Sequence, residues 1–122
     1  MTNFQKFLKS LRIAFSGLRA AFKKEQSFRV QVVIGIIVIF FMVILELTSL
    51  ERAILTLTIL AVLSLELINS QIEKFLDLIQ PDLHPEVKII KDLSAGAVLI
   101  SVLGAIIIGI LIFLPHLVYL FK

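Results

Sequence analysis

The sequence predicts an all-α integral membrane protein, with three transmembrane helices and an N-terminal amphipathic helix lying at the interface. Three observations carry that expectation. The 122 residues are 59% hydrophobic and only 17% charged, too apolar for an ordinary soluble domain and short enough for one domain, 1–122. Long apolar runs recur, separated by short charged or proline-containing breaks. The net charge is +3, yet seven of the twelve Lys and Arg lie between Lys6 and Arg29. In a membrane chain such asymmetry reads as topology and lipid contact before nucleic acid. The absence of cysteine excludes a disulfide framework, a thiolate metal site and a thiol nucleophile.

The first element, about 4–22, alternates Phe4, Phe7, Leu8, Leu11, Phe15, Leu18 and Phe22 with Lys6, Lys9, Arg12 and Arg19. That is helical periodicity with the basic residues off the apolar face, the pattern of an interfacial helix. The alternative is a soluble amphipathic helix packed on a core. A cleaved signal peptide is not expected, because no small-residue cleavage site follows a short apolar core. The second element, 30–47, is almost wholly apolar, with Gln31 and Glu46 at its ends, and is near the minimum length for a span. The third, 53–79, is apolar in its first half and polar in its second. It is expected to be one helix that reaches the interface or leaves the bilayer. The loop Gln80-Pro81-Asp82-Leu83-His84-Pro85 breaks the chain, since prolines bias their neighbours towards extended structure. The fourth element, 93–119, has no formally charged side chain, and Pro115 is expected to mark its exit. Along it Ala97, Ser101, Ala105 and Gly109 recur every fourth residue, either by chance or as a seam for close helix approach.

Placing the N-terminus inside puts ten Lys and Arg on the inner side, Lys6 to Arg29 plus Lys74, Lys88 and Lys91. Only Arg52 and Lys122 then lie outside. The positive-inside rule therefore favours an inner N-terminus and an outer C-terminus. Three spans bury little on their own, so a homo-oligomer is expected.

The chemistry is concentrated in Glu66-x-x-Asn69-x-x-x-Glu73-x-x-x-Asp77. At about 100° per residue, Glu66, Glu73 and Asp77 fall within roughly 40° of one another, with Asn69 beside them. A carboxylate at the bilayer centre costs roughly 2.5–3.5 kcal/mol on insertion scales, so the stripe calls for a partner, a metal ion or a polar substrate. Hard oxygen ligands of this kind suit Mg²⁺, and a carboxylate can act as general base towards an alcohol. Lys91 can neutralise phosphate, Asp92 can cap the last helix, and Glu25 can join from another direction. Each has a plain alternative. Taken alone, Glu25 among Lys23, Lys24 and Arg29 reads first as a surface ion pair, Lys91-Asp92 can be a plain helix start, and His84 before a proline is usually a loop residue. A solvated helix face explains Glu73 and Asp77 well, but not Glu66 and Asn69, which directly follow the apolar run from Ala53 to Leu65. No G-x-x-x-x-G-K-[ST] or G-x-G-x-x-G loop and no HExxH occurs.

Three blocks carry a resemblance. Gly17-Leu18-Arg19-Ala20-Ala21-Phe22 with Glu25 and Phe28-Arg29, then Glu66 to Asp77, then Lys91-Asp92 with Ala95-Gly96-Ala97-Val98, resemble the prokaryotic diacylglycerol kinase family, including its undecaprenol kinase branch. The similarity covers nearly the whole chain in order. It implies a homotrimeric kinase of the bacterial inner membrane, with a cytoplasmic active site, that passes the ATP γ-phosphate to a membrane lipid alcohol with Mg²⁺. It implies that Glu66 is the catalytic base and that Glu25 and Glu73 bind metal. It places Lys6, Glu25, Asn69, Glu73, Asp77, Asp82, Leu83, His84, Lys91 and Asp92 at the nucleotide, and Arg19, Phe28, Glu66 and Ala95 at the lipid. Lys6 stands where the family often has arginine, which keeps the charge and loses the bidentate fork. Ile13 replaces an aromatic residue found near the nucleotide in some members. The stretch from His84 to Ala97 is closer to the undecaprenol branch, whereas Gly17 to Phe22 is shared with the diacylglycerol branch.

Two other function classes fit a thin helical bundle. One is an oligomeric ion or proton pathway with Glu66 as its intramembrane acid. It leaves Asp77, Lys91 and Glu25 without a task. The other is a non-catalytic assembly subunit that docks a partner on the acidic stripe.

Overall fold

Two threonines start helices in the same way. Thr2 and Thr48 are extended, and their hydroxyls accept from the backbone N–H three residues on, at 3.2 Å from Gln5 and 3.1 Å from Glu51. The side chains of Gln5 and Glu51 accept in return from the threonine N–H groups, each at 3.0 Å. Such a capping box satisfies two orphan donors at once. In the computed structural model, which describes residues 1–82 and 84–122, these caps open α1 (Asn3–Lys24) and α3 (Ser49–Ile79). Helix α2 covers Gln26–Ile44 and α4 covers Pro85–Leu120, and the described residues contain no strand.

Glu25 alone separates α1 from α2, and it caps both. Arg29 secures this corner: its guanidinium donates to the carbonyls of Phe22 at 3.1 Å and Lys23 at 2.7 Å, closing the end of α1. Helix α4 begins at Pro85, well before the uncharged run at Leu93. Proline suits the first helical position because its missing N–H would be unpaired there anyway. The cap is His84, whose Nδ1 accepts from the Glu86 N–H at 3.2 Å. Asp92 therefore does not cap α4; it lies inside the helix and pairs with Lys88 at 2.7 Å. Nor does Pro115 end the helix, which continues to Leu120. Apolar spans tolerate an internal proline where local adjustments re-satisfy the freed carbonyl.

Helices α2, α3 and α4 are each long and apolar enough to cross a membrane. At 1.5 Å per residue their lengths are about 28, 47 and 54 Å, against a hydrocarbon core of about 30 Å. Helix α2 only just spans, so α3 and α4 overhang. The overhang where they meet, Glu73 to Asp92, carries most of their charge. The apolar core lies at the opposite end, around the α2–α3 turn, where Met42, Leu47, Leu55 and Ile112 are buried. Helix α3 packs against both α2 and α4, and α1 against α2. The tight approach is at Gly35 of α2, where an added Cβ would lie 3.2 Å from Ile59 Cγ2. At Gly109 of α4, the one glycine of the small-residue pattern, it would meet nothing within 4 Å. Helix α1 buries no residue and leaves its phenylalanine stripe exposed, as an interfacial helix does before a bilayer covers it.

Candidate active site

The apolar run Ala53–Leu65 draws α3 into the bundle, and the first polar residue after it is carried inside as well. Glu66 is only 5% exposed. Its Oε2 accepts a hydrogen bond from Gln31 Nε2 on α2, at 3.1 Å. Buried carboxylates require such donors. Asn69, nearly one turn on, is also buried and donates to Glu73 Oε1 at 3.4 Å. The carbonyl oxygens of Gln31 and Asn69 are buried and accept no hydrogen bond among the described residues. Two unpaired acceptors beside a buried acid mark a place for a donor, a water or a cation.

Around this centre the charges are held in pairs. Glu25 meets Lys74 of α3 at 3.0 Å, and both Glu25 and Glu73 are within electrostatic reach of Glu66. Farther along, Asp77 of α3 meets Lys91 of α4 at 2.5 Å. Asp77 and Lys91 join Asp82, His84, Lys88 and Asp92 in lining a polar cleft of about 380 Å³ at the α3–α4 corner. On the membrane side an apolar cavity of about 360 Å³ runs between α2, α3 and α4. It is lined by residues such as Gly35, Ile59, Ala105 and Phe113, and it reaches Gln31, the partner of Glu66. Along α3 the buried Glu66 thus follows the residues that line the apolar cavity and precedes Asp77 of the charged cleft by about three turns. That arrangement suits a reaction between a lipid and a water-soluble polyanion.

Residues 12–113 match the family profile described as prokaryotic diacylglycerol kinase. The chain belongs to the prokaryotic diacylglycerol kinase family. It is 38% identical over 114 residues to a diacylglycerol kinase of Synechocystis sp., across 93% of this chain and 65% of that protein. The chain therefore spans just under two thirds of the length of that relative. It is 38% identical over 112 residues to an undecaprenol kinase of Bacillus subtilis, across 92% of this chain and 91% of that protein. With a diacylglycerol kinase of Escherichia coli the identity is 29% over 115 residues, 94% of each chain. The protein is accordingly a membrane lipid kinase, and the family decides against the ion pathway and the non-catalytic subunit.

Of the residues the kinase resemblance singles out, the fold gathers Glu25, Asn69 and Glu73 around the buried Glu66, and Asp77, Asp82, His84, Lys91 and Asp92 around the cleft. Phe28 is buried near the start of α2, at 5% exposure. Lys6 and Arg19 are exposed on α1 and Ala95 is exposed on α4. Leu83 lies outside the described residues. Sequence reasoning passed over two side chains. Gln31 was legible as a polar residue opening an apolar run, which must find a polar partner in the bundle. Lys74 was counted only as inner-side charge, although it pairs with Glu25.

Proposed function

We propose that the protein transfers the γ-phosphate of ATP to the hydroxyl of a membrane lipid alcohol, diacylglycerol or undecaprenol, at the cytoplasmic face of a bacterial inner membrane. The observation that carries this reading is the buried Glu66, held by Gln31 and placed along α3 after the residues that line the apolar cavity and before Asp77 of the charged cleft. The lipid chain occupies the apolar side, with its hydroxyl at Glu66. Glu66 takes the hydroxyl proton, the alkoxide oxygen bonds to the γ-phosphorus, and the bond to the β-bridging oxygen breaks in line, releasing ADP. Such transfers depend mainly on positioning and on charge neutralisation. Lys91 is placed to meet phosphate once it exchanges Asp77 for the nucleotide.

The donor set fits Mg²⁺. No cage of three or more Asp, Glu or His is assembled among the described residues. Mg²⁺ does not need one, since it keeps waters and is bound by one or two carboxylates together with substrate phosphates. Glu25 and Glu73 would hold it, with the unpaired Asn69 carbonyl close by. When bound, the ion neutralises charge on the phosphates.

We read the working form as a homotrimer. Most of the apolar surface of α2 and α4 is uncovered in one chain. Light scattering on the detergent complex should return three copies, and a monomer would remove this assignment. The activity is tested with purified protein, Mg²⁺ and labelled ATP, offering diacylglycerol and undecaprenol side by side. Label should pass to at least one lipid; transfer to neither would overturn the reading.

A further inference from the structure

Glu25 is the one residue between α1 and α2, with extended torsions of φ −106° and ψ 107°. Its carboxylate makes no capping hydrogen bond to α2. It turns instead to Lys74, whose Nζ approaches Oε1 to 3.0 Å from α3. The pair lies on the wall of a cavity of about 320 Å³ between α1 and α3, together with Gly17, Ala21, Ser70 and Gln71. Glu66 has both Glu25 and Glu73 within electrostatic reach. Among the described residues, Lys74 is the one cation paired with any of these three acids. Its side chain is 60% exposed, against 25% for Glu25. Lysine carries a compact, strongly hydrated charge on a flexible stem, so it can leave a carboxylate without disturbing the helix beneath it.

We propose that Lys74 is the resident counter-ion of Glu25, occupying that carboxylate in the metal-free protein and yielding it to a divalent cation. This rests on the reading of Glu25 as a metal ligand. An ammonium and a divalent cation repel each other across one carboxylate, so each weakens the binding of the other. Because the Lys74 side chain is largely exposed, the competition is modest, and its removal should strengthen metal binding by about two- to fivefold. Arginine at the same position would grip the carboxylate with a fork of donors and compete at least as well as lysine.

The test is a titration of the nucleotide-free, full-length protein in detergent with Mn²⁺, read by electron paramagnetic resonance of the free ion. Lys74→Met should bind Mn²⁺ about two- to fivefold more tightly than the wild type. Lys74→Arg should bind it no more tightly than the wild type. Glu25→Gln should weaken binding, and the gain from Lys74→Met should vanish in the double variant. If Glu25→Gln weakens Mn²⁺ binding but Lys74→Met leaves it equal or weaker, the counter-ion role is overturned and the metal assignment stands. If Glu25→Gln leaves Mn²⁺ binding unchanged, the metal assignment itself fails, and the role of Lys74 fails with it.

Discussion

Glu66 and Gln31 form a pair in which one side chain does the chemistry and the other fixes where it is done. Glu66→Gln keeps the shape and removes the proton acceptor, so turnover should fall by about 10²–10⁴ while the thermal transition stays in place. Turnover near that of the wild type would take Glu66 out of the role of base. Gln31→Leu leaves a buried carboxylate without its donor, at a cost of about 1–3 kcal/mol in stability. The same change should lower kcat more than it raises the KM for ATP, because Gln31 touches the base and does not line the charged cleft. A loss confined to the KM for ATP would contradict that placement. Spacing along α3 was enough to put Glu66, Asn69 and Glu73 on one face. It gave no access to the partner thirty-five positions away on α2, because a hydrogen bond between helices depends on their relative register.

The helices themselves were legible where the signal was an unbroken apolar run and less so where caps decide. The run 30–47 overlaps α2, but the helix begins at Gln26, since Glu25 alone interrupts the chain, and it ends at Ile44, so residues 45–47 belong to the turn before α3. Pro85 looked like part of a break and is instead the first residue of α4, with His84 as its cap. Charge had obscured the first turns of α4, which stand beyond the apolar run and supply Lys88, Lys91 and Asp92 to the cleft. A close approach of two helices lies at Gly35 of α2 against Ile59 of α3. A Gly35→Leu substitution should therefore force α2 away from α3 and destabilise the protein by about 1–3 kcal/mol, measured by thermal denaturation in detergent. Gly104→Leu should be nearly neutral in the isolated chain, since an added Cβ there meets nothing within 4 Å. Equal losses at the two positions would show that the close contact is not specific to α2 and α3.

At the scale of the whole molecule the two ends differ in kind. One end holds the apolar core of Met42, Leu47, Leu55 and Ile112, closed by the His116–Glu51 contact at 3.2 Å between α4 and α3. The other holds the buried acid, the charged cleft and the corner from which α1 departs. An odd number of crossings puts the two chain termini on opposite sides of the membrane. The basic residues divide accordingly, ten on the side of α1 and the cleft, with Arg52 and Lys122 on the other. That bias predicts a cytoplasmic N-terminus. It also fits the proposed chemistry, because ATP is available only on that side. The chain has no cysteine, so single cysteines can report the orientation without background. A cysteine replacing Lys122 should react with an impermeant thiol reagent added to intact cells, whereas one replacing Thr2 should react only after the membrane is opened. The reverse pattern would put the charged cleft on the face without ATP, and the proposed kinase orientation would have to be abandoned together with the topology.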